Sequence, residues 1–313
     1  MTEKNTDDFF MWRALQLARN GEGNVSPNPM VGAVIVANGR IIGEGFHAQY
    51  GGPHAEVNAI TSVKNEDRVL LKESTIYVTL EPCAHYGKTP PCANLIVITG
   101  IPKVVVGAPD PNPKVAGKGV KILKDAGIEV IEGVLLKECL EINRRFMAAH
   151  SLSRPWIQLK WAQSSDGYMA AFSENGKPNG VKFSNPLSLI WMHRERASVD
   201  AIMVGKKTSE IDRPRLDVRY WSGKNPLKIE LQERINCREF VEELREKGIT
   251  SLMVEGGPTL LESFLNEGLY DEIRIEVSPI KLGKGLPSPA LPNDIILISS
   301  EKIRDNYINV FRR

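Results

Sequence analysis

The sequence predicts an α/β protein in two domains. Three observations carry that reading. The chain has 313 residues, enough for about two domains at roughly 150 residues each. Short β-branched runs alternate with stretches of helical apolar spacing, the order that builds sheets flanked by helices. A polar, proline-containing break at Ser151–Pro155 separates two such series, so the domains are expected at 1–150 and 151–313.

In the first half, residues 7–20 have helical spacing and are stopped by the Gly/Pro/Asn-rich stretch 21–29. Val31–Val36 and Arg40–His47 read as strands joined through Asn38-Gly39, a type I′ hairpin signal. A helix from His54 to Ser62 precedes a strand at Thr75–Leu80. Helices at Cys92–Thr99, Gly119–Ala126 and Leu135–Ala149 alternate with strands at Lys103–Gly107 and Ile128–Gly133.

The second half opens on a strand at Trp156–Trp161. Ala201–Gly205, Lys228–Leu231, Ser251–Val254, Asp271–Ser278 and Tyr307–Arg312 are further strands, and helices fit 186–197, 237–248 and 258–268. No internal repeat or low-complexity tract interrupts the pattern.

Composition narrows the function classes. A net charge of +2 gives no overall field that would draw the chain to nucleic acid or a membrane. The apolar fraction, 42%, suits globular cores, and no long apolar stretch or charged-then-apolar leader argues for a membrane span or a secretory signal. Four cysteines, Cys83, Cys92, Cys139 and Cys237, are too few for a disulfide framework and fit a reducing cytoplasm. Cys139 and Cys237 are expected to be buried thiols.

The chemistry concentrates in two segments, Pro53-His54-Ala55-Glu56-Val57 and Glu81 through Cys92. His54, Cys83 and Cys92 supply one imidazole and two thiolates, a donor set for tetrahedral zinc with one position left to water. Glu56 is then free to move that water's proton. Helix starts at His54 and Cys92, and a strand-to-helix turn at Cys83, favour thiolate through the partial positive charge of helix N-termini. A closed structural zinc site, with His85 as fourth ligand, and a metal-free arrangement are the alternatives. The pattern is similar to the zinc deaminase signature, histidine-x-glutamate followed by proline-cysteine and a later cysteine. In such chemistry zinc lowers the pKa of bound water from 15.7 to about 7, and the glutamate passes the proton to the ring nitrogen and the departing amine. Nucleoside and tRNA deaminases mostly carry a Cys-x-x-Cys pair. Here the longer His85–Pro91 insert can project His85 and Lys88 toward a phosphate or ring carbonyls.

Pro27-Asn28-Pro29-Met30-Val31-Gly32, His54-Ala55-Glu56, the loop ending Thr89-Pro90-Pro91-Cys92, and Asp110-Pro111-Asn112-Pro113 resemble the bifunctional riboflavin-biosynthesis deaminase–reductases over nearly the whole chain. The resemblance implies a cytidine-deaminase-like zinc domain followed by a dihydrofolate-reductase-like domain. The first would be a hydrolase that deaminates 2,5-diamino-6-ribosylamino-4(3H)-pyrimidinone 5′-phosphate. The second would be an NADP-dependent oxidoreductase that reduces the ribosyl chain to ribityl with NADPH. It implies one zinc per chain on His54, Cys83 and Cys92, with Glu56 as proton shuttle. Asn28, His47, His85 and Lys88 would meet the pyrimidine phosphate. A cytoplasmic homo-oligomer, dimer or tetramer, is also implied.

In the second half, Glu255-Gly256-Gly257-Pro258 follows a strand and opens a helix, so its backbone can approach a phosphate. It lacks the GxGxxG dinucleotide fingerprint. The reductase resemblance rests on Leu159–Ala162 with Asp166-Gly167, Ala201–Gly205, Asp212–Arg219, Trp221–Pro226 and Glu255–Gly257. It implies substrate contacts from Arg196, Leu216, Arg219 and Glu255. It implies NADPH contacts from Ala162, Thr208, Asp212, Gly257, Pro258, Thr259, Leu260, Leu261, Glu262 and Ser263. Lys160 is an additional polar group of that pocket. The chain departs from the family pattern in passing directly from Leu231 to the helix at 237, which shortens the reductase around 231–237. Gly180-Val181-Lys182-Phe183 also stands where a tryptophan is expected. A deaminase with a structural second domain, a nucleoside or nucleic-acid deaminase, and a non-catalytic metal module are the competing readings.

Overall fold

The computed structural model describes residues 3–84, 90–112, 116–233 and 235–313. It divides into two compact units, the first ending at Ser151 and the second spanning Leu152–Arg313.

The first unit contains α1 (Glu3–Ala18), β1 (Gly32–Ala37), β2 (Arg40–Phe46), α2 (Ala55–Ser62), β3 (Thr75–Leu80), α3 (Cys92–Thr99), β4 (Lys103–Ala108), α4 (Lys118–Asp125), β5 (Glu129–Glu132), α5 (Leu136–Ile142) and α6 (Arg144–Ser151). Its sheet has the order β2-β1-β3-β4-β5. β1 runs antiparallel to β2 and β3, while β3, β4 and β5 are mutually parallel. Asn38 and Gly39 both have positive φ, 52° and 73°, as a type I′ turn requires. Every residue of β1 is buried because both faces are covered. Ala33, Ile35 and Ala37 pack into one core with residues of α2 and α3, and Val34 and Val36 into a second core with α1. Gly45 sets the approach of α2, since a Cβ there would lie 2.3 Å from the Ala59 nitrogen.

The expectation of one helix over 135–149 is corrected. The chain forms α5 and α6, broken at Asn143, whose side chain is used elsewhere. Its Oδ1 accepts the Met30 N–H and its Nδ2 donates to the Met30 carbonyl, both at 2.8 Å. Competition of this kind between an Asn side chain and backbone groups disfavours a helix interior.

The second unit contains β6 (Trp156–Gln163), β7 (Tyr168–Phe172), β8 (Pro178–Gly180), α7 (Pro186–Ala197), β9 (Ala201–Val204), α8 (Lys206–Asp212), β10 (Leu227–Glu230), α9 (Cys237–Glu246), β11 (Ser251–Glu255), α10 (Pro258–Asn266), β12 (Glu272–Val277), β13 (Gly285–Pro287), β14 (Ile296–Ile303) and β15 (Asn306–Arg312). The main sheet runs β10-β9-β11-β6-β12-β15-β14, and β13-β7-β8 form a small second sheet. The strands from β10 to β12 are parallel, and β15 and β14 complete the edge antiparallel.

Period-2 alternation gives the main sheet two unlike faces. Ile157, Leu159, Trp161, Ile273 and Ile275 join the apolar core with α9 and α10. Gln158, Lys160, Glu272, Arg274 and Glu276 are buried on the other face. Glu272 accepts there from Gln158, Arg274 and Arg312 at 3.1, 2.5 and 2.8 Å, and Arg274 also pairs with Glu195 of α7 at 2.7 Å. A small apolar cluster, Val199, Ile202, Val204, Leu216 and Met253, fills the rest of that side. No helix among the described residues is long and apolar enough to cross a membrane.

Candidate active sites

The first site lies where α2 and α3 begin, beside the end of β3. His54 is the residue before α2 and lends no side-chain cap, so its imidazole is free. Its Nδ1 lies 3.6 Å from the Cys83 sulfur and 3.3 Å from the Cys92 sulfur. The three ligand atoms all fall within 4.8 Å of one another. Ligands bonded at about 2.0–2.3 Å with tetrahedral angles stand roughly 3.5 Å apart, so the donor set and its spacing fit zinc.

The electrostatics agree. The hydrogen bond from Cys92, aided by His54 and the Cys92 N–H at 3.2 Å, holds the Cys83 thiol below its ordinary value. The neighbouring sulfur, with burial, pushes Cys92 upward. Contact with Cys83 raises His54 above the ordinary imidazole value. Glu56 is 3% exposed in the first turn of α2, and burial, with the Cys83 charge, pushes its carboxyl up to about 7.

Two predicted substrate residues meet beside this triad. His47 is buried and its Nδ1–H donates to the Pro53 carbonyl at 3.0 Å. Its Nε2 then accepts from Asn28 Nδ2 at 3.3 Å. Burial lowers its pKa, which keeps it neutral in that role. The His47 and His54 rings stand edge to face, 5.4 Å apart. His85 and Lys88 lie outside the described residues.

Two supporting residues were missed by sequence reasoning. Asn143 pins the Met30 backbone, and nothing in its neighbourhood signals a partner so distant in sequence. Glu81, next to Pro82-Cys83, is 4% exposed and accepts backbone N–H groups from Asp110, Gly117, Gly119 and Val120, at 3.4, 3.0, 3.0 and 3.2 Å. It caps α4 from a distant segment and binds the end of β3 to the loop after β4. Gly119 is required there, because its Cβ would stand 1.9 Å from the Pro82 oxygen.

The second site gathers on α7 and the carboxyl end of β11. Arg196 is 5% exposed and pairs with Glu255 through Nη2 to Oε2 at 3.0 Å and Nε to Oε1 at 3.4 Å. Burial alone would raise the Glu255 carboxyl, but Lys160 and Arg196 together hold it below its ordinary value. Lys160 sits on the paired strand opposite Glu255, and its Nζ contacts Met192 Sδ at 3.2 Å. Leu216 is a non-glycine residue at φ 56°, with its side chain in the small apolar cluster, so only its backbone can face a ligand. Arg219 pairs with Asp217 and lies over the Tyr220 ring, 5.0 Å from its centroid.

The predicted cofactor residues separate into two groups. Thr208 Oγ1 accepts the Gly257 N–H at 3.2 Å. A Cβ at Gly256, where φ is 146°, would sit 3.3 Å from that oxygen, so the bare turn forms a shallow cradle. α10 starts at Pro258 with no side-chain cap from Gly257; proline has no N–H and that of Gly257 is held by Thr208, so Thr259 and Leu260 are the first-turn positions whose N–H groups a phosphate would meet. This arrangement fits a nucleotide cofactor. Asp212, one turn beyond Thr208, faces Gly180 instead. Ala162 lies at the end of β6 opposite Glu276. Leu261 is wholly buried in the apolar core, and the Ser263 hydroxyl donates to the Thr259 carbonyl, so neither side chain is available.

The first unit is thus a zinc-deaminase-type fold with its ligand triad assembled, and the second an α/β unit with a buried Arg196–Glu255 ion pair and a glycine turn. Residues 4–108 match the family described as the cytidine and deoxycytidylate deaminase zinc-binding region. Residues 155–239 and 227–303 match the RibD C-terminal domain. The riboflavin biosynthesis protein RibD of Aquifex aeolicus is 38% identical over 327 positions, covering 90% of each chain. That of Escherichia coli K12 is 34% identical, covering 88% of this chain and 89% of the relative. The crystal structure of a diaminohydroxyphosphoribosylaminopyrimidine deaminase/5-amino-6-(5-phosphoribosylamino)uracil reductase from Thermotoga maritima superposes with a TM-score of 0.89 at 33% identity, covering 99% of each chain. RibD of Acinetobacter baumannii gives 0.89 at 31%, again over 99% of each. The chain belongs to the riboflavin biosynthesis protein RibD family of bifunctional deaminase–reductases. The Aquifex alignment is longer than this chain's 313 residues yet covers 90% of them, so that relative carries residues this chain lacks.

Proposed function

We propose that the first unit deaminates 2,5-diamino-6-ribosylamino-4(3H)-pyrimidinone 5′-phosphate and that the second reduces the resulting ribosyl chain to ribityl with NADPH. The observation that carries the deaminase reading is the buried Glu56 carboxyl beside the assembled His54, Cys83 and Cys92 donors. Zinc held by those three residues supplies a Lewis acid that makes water a nucleophile near neutral pH. Glu56 accepts the proton of the attacking water and returns it to the ring nitrogen. It then takes the second proton, from the hydroxyl added to the ring carbon, and passes it to the amine, so that the carbonyl forms as the C–N bond breaks and ammonia leaves. A buried carboxyl, whose affinity for a proton is raised by desolvation, suits both directions of transfer. Neutral His47 and Asn28 form one wall of the site, and their mutual hydrogen bond can open toward the substrate's polar edge.

In the second unit Arg196 and Glu255 fix the substrate side, with Leu216 and Arg219 on the adjoining segment. Thr208 and the turn at Gly256-Gly257 hold the cofactor side. NADPH supplies the hydride, and the polar groups around Lys160 and Glu255 orient the reacting ribosyl chain. The test is a coupled assay on purified protein that follows ammonia release and then NADPH absorbance. Release of ammonia without any NADPH oxidation would reduce the reading to a deaminase carrying a structural second unit.

A further inference from the structure

Three consecutive backbone positions of the 216–220 segment are each gripped by a side chain from elsewhere. The Val218 N–H donates to Asn225 Oδ1 at 2.7 Å. Arg196 Nη1 donates to the Asp217 carbonyl at 3.5 Å. The Arg219 N–H donates to His193 Nδ1 at 3.1 Å. His193 and Arg196 are three residues apart on α7 and so share one helix face. Arg196 already belongs to the proposed reductase site, whereas His193 has no assigned part in it.

We infer that His193 is a positioning residue of the reductase: its neutral imidazole holds the Arg219 backbone, and thereby the substrate-facing segment 216–219, in place. The ring is wholly buried and stands edge to face on Tyr220, with centroids 4.8 Å apart. Only an unprotonated Nδ1 can accept the Arg219 N–H, so Nε2 carries the hydrogen. That Nε2 is buried without a partner. The groups facing the ring are Arg196 on its own helix, Asp217, Arg219 and Tyr220 on the gripped segment, and Glu255 backed by Lys160 on the sheet. Burial first, then Arg196 and Arg219, push its pKa below the ordinary value of 6.5, and Asp217 opposes them. Protonation at low pH turns the Nδ1 acceptor into a donor aimed at another donor and releases the segment.

The inference rests on the reading that Arg219 meets the reductase substrate. The experiment therefore measures KM and kcat for 5-amino-6-(5-phosphoribosylamino)uracil by NADPH oxidation in the wild type, His193→Leu, His193→Asn and Arg219→Ala. NADPH affinity, measured by fluorescence, reports whether the second unit is intact. His193→Leu should raise KM about tenfold with a smaller change in kcat and with NADPH affinity retained. His193→Asn, whose Oδ1 replaces the Nδ1 acceptor but does not titrate, should recover most of that loss. The wild-type KM should rise more steeply than that of His193→Asn as pH falls below 6.5. Comparing the two cancels titration of the substrate phosphate. If Arg219→Ala raises KM while His193→Leu does not, the positioning role is overturned and the site reading stands. If His193→Asn fails to recover KM, the acceptor role is overturned. If Arg219→Ala leaves KM unchanged, or no protein oxidises NADPH, the underlying site reading fails and takes the inference with it.

Discussion

Glu56, His54, Cys83 and Cys92 separate two kinds of loss. Glu56→Gln keeps the shape and removes the proposed base, so ammonia release should fall by about 10²–10⁴-fold while zinc content by metal analysis stays at the wild-type level. Cys83→Ser should instead lower both zinc content and turnover. In the second unit, the side chains of Arg196 and Glu255 are 6% and 12% exposed, so removing one partner strands a buried charge. Glu255→Ala should cost about 3–5 kcal/mol in denaturant unfolding of that unit. The Glu255 carboxyl is held below its ordinary 4.5. Its contribution is therefore fully present above pH 4.5 and lost as pH falls through the lower folded value. The stability gap between wild type and Glu255→Gln should close over that acidic window and stay constant above it.

At the level of elements, the loop from Pro27 to Val31 is held at Met30 by a break between helices, in addition to its own turn, in which the Asn28 N–H donates to the Val25 carbonyl at 2.9 Å. Asn143→Ala removes both bonds to Met30. It should raise the deaminase KM several-fold and lower stability by roughly 1–3 kcal/mol, as read by steady-state kinetics and chemical denaturation. The same residue shows the limit of sequence reading. Apolar spacing runs unbroken through 135–149, and the reason for the break lies more than a hundred residues away, at Met30. Strands buried on both faces were legible because they are continuous β-branched runs, as at Thr75–Leu80, and α3 was legible between Pro91 and Gly100. β14 was not, because nearly all of it is exposed at the sheet edge and no alternation of burial marks it. α8 has no buried residue and offers no apolar stripe. The zinc triad was legible because soft ligands near a carboxylate are rare in combination. Glu81 and His193 were not, since their partners are backbone groups that carry no residue signature.

Across the molecule, each unit has its own core, so the two activities should respond separately to metal removal. Dialysis against a chelator should abolish ammonia release and lower the thermal transition of the first unit. NADPH oxidation on added aminouracil substrate should persist, and readded zinc should restore both lost properties. The second unit carries a further safeguard in its unlike sheet faces. Were β12 to pair with β6 one residue out of step, Ile273 and Ile275 would change places with Glu272, Arg274 and Glu276. Three ionisable groups would enter oily surroundings, and their partners Arg312, Glu195, Ser184 and Asn306 would be left behind on the far side. Mispaired forms of this strand are thereby excluded by solvation alone, whatever the loops at either end permit.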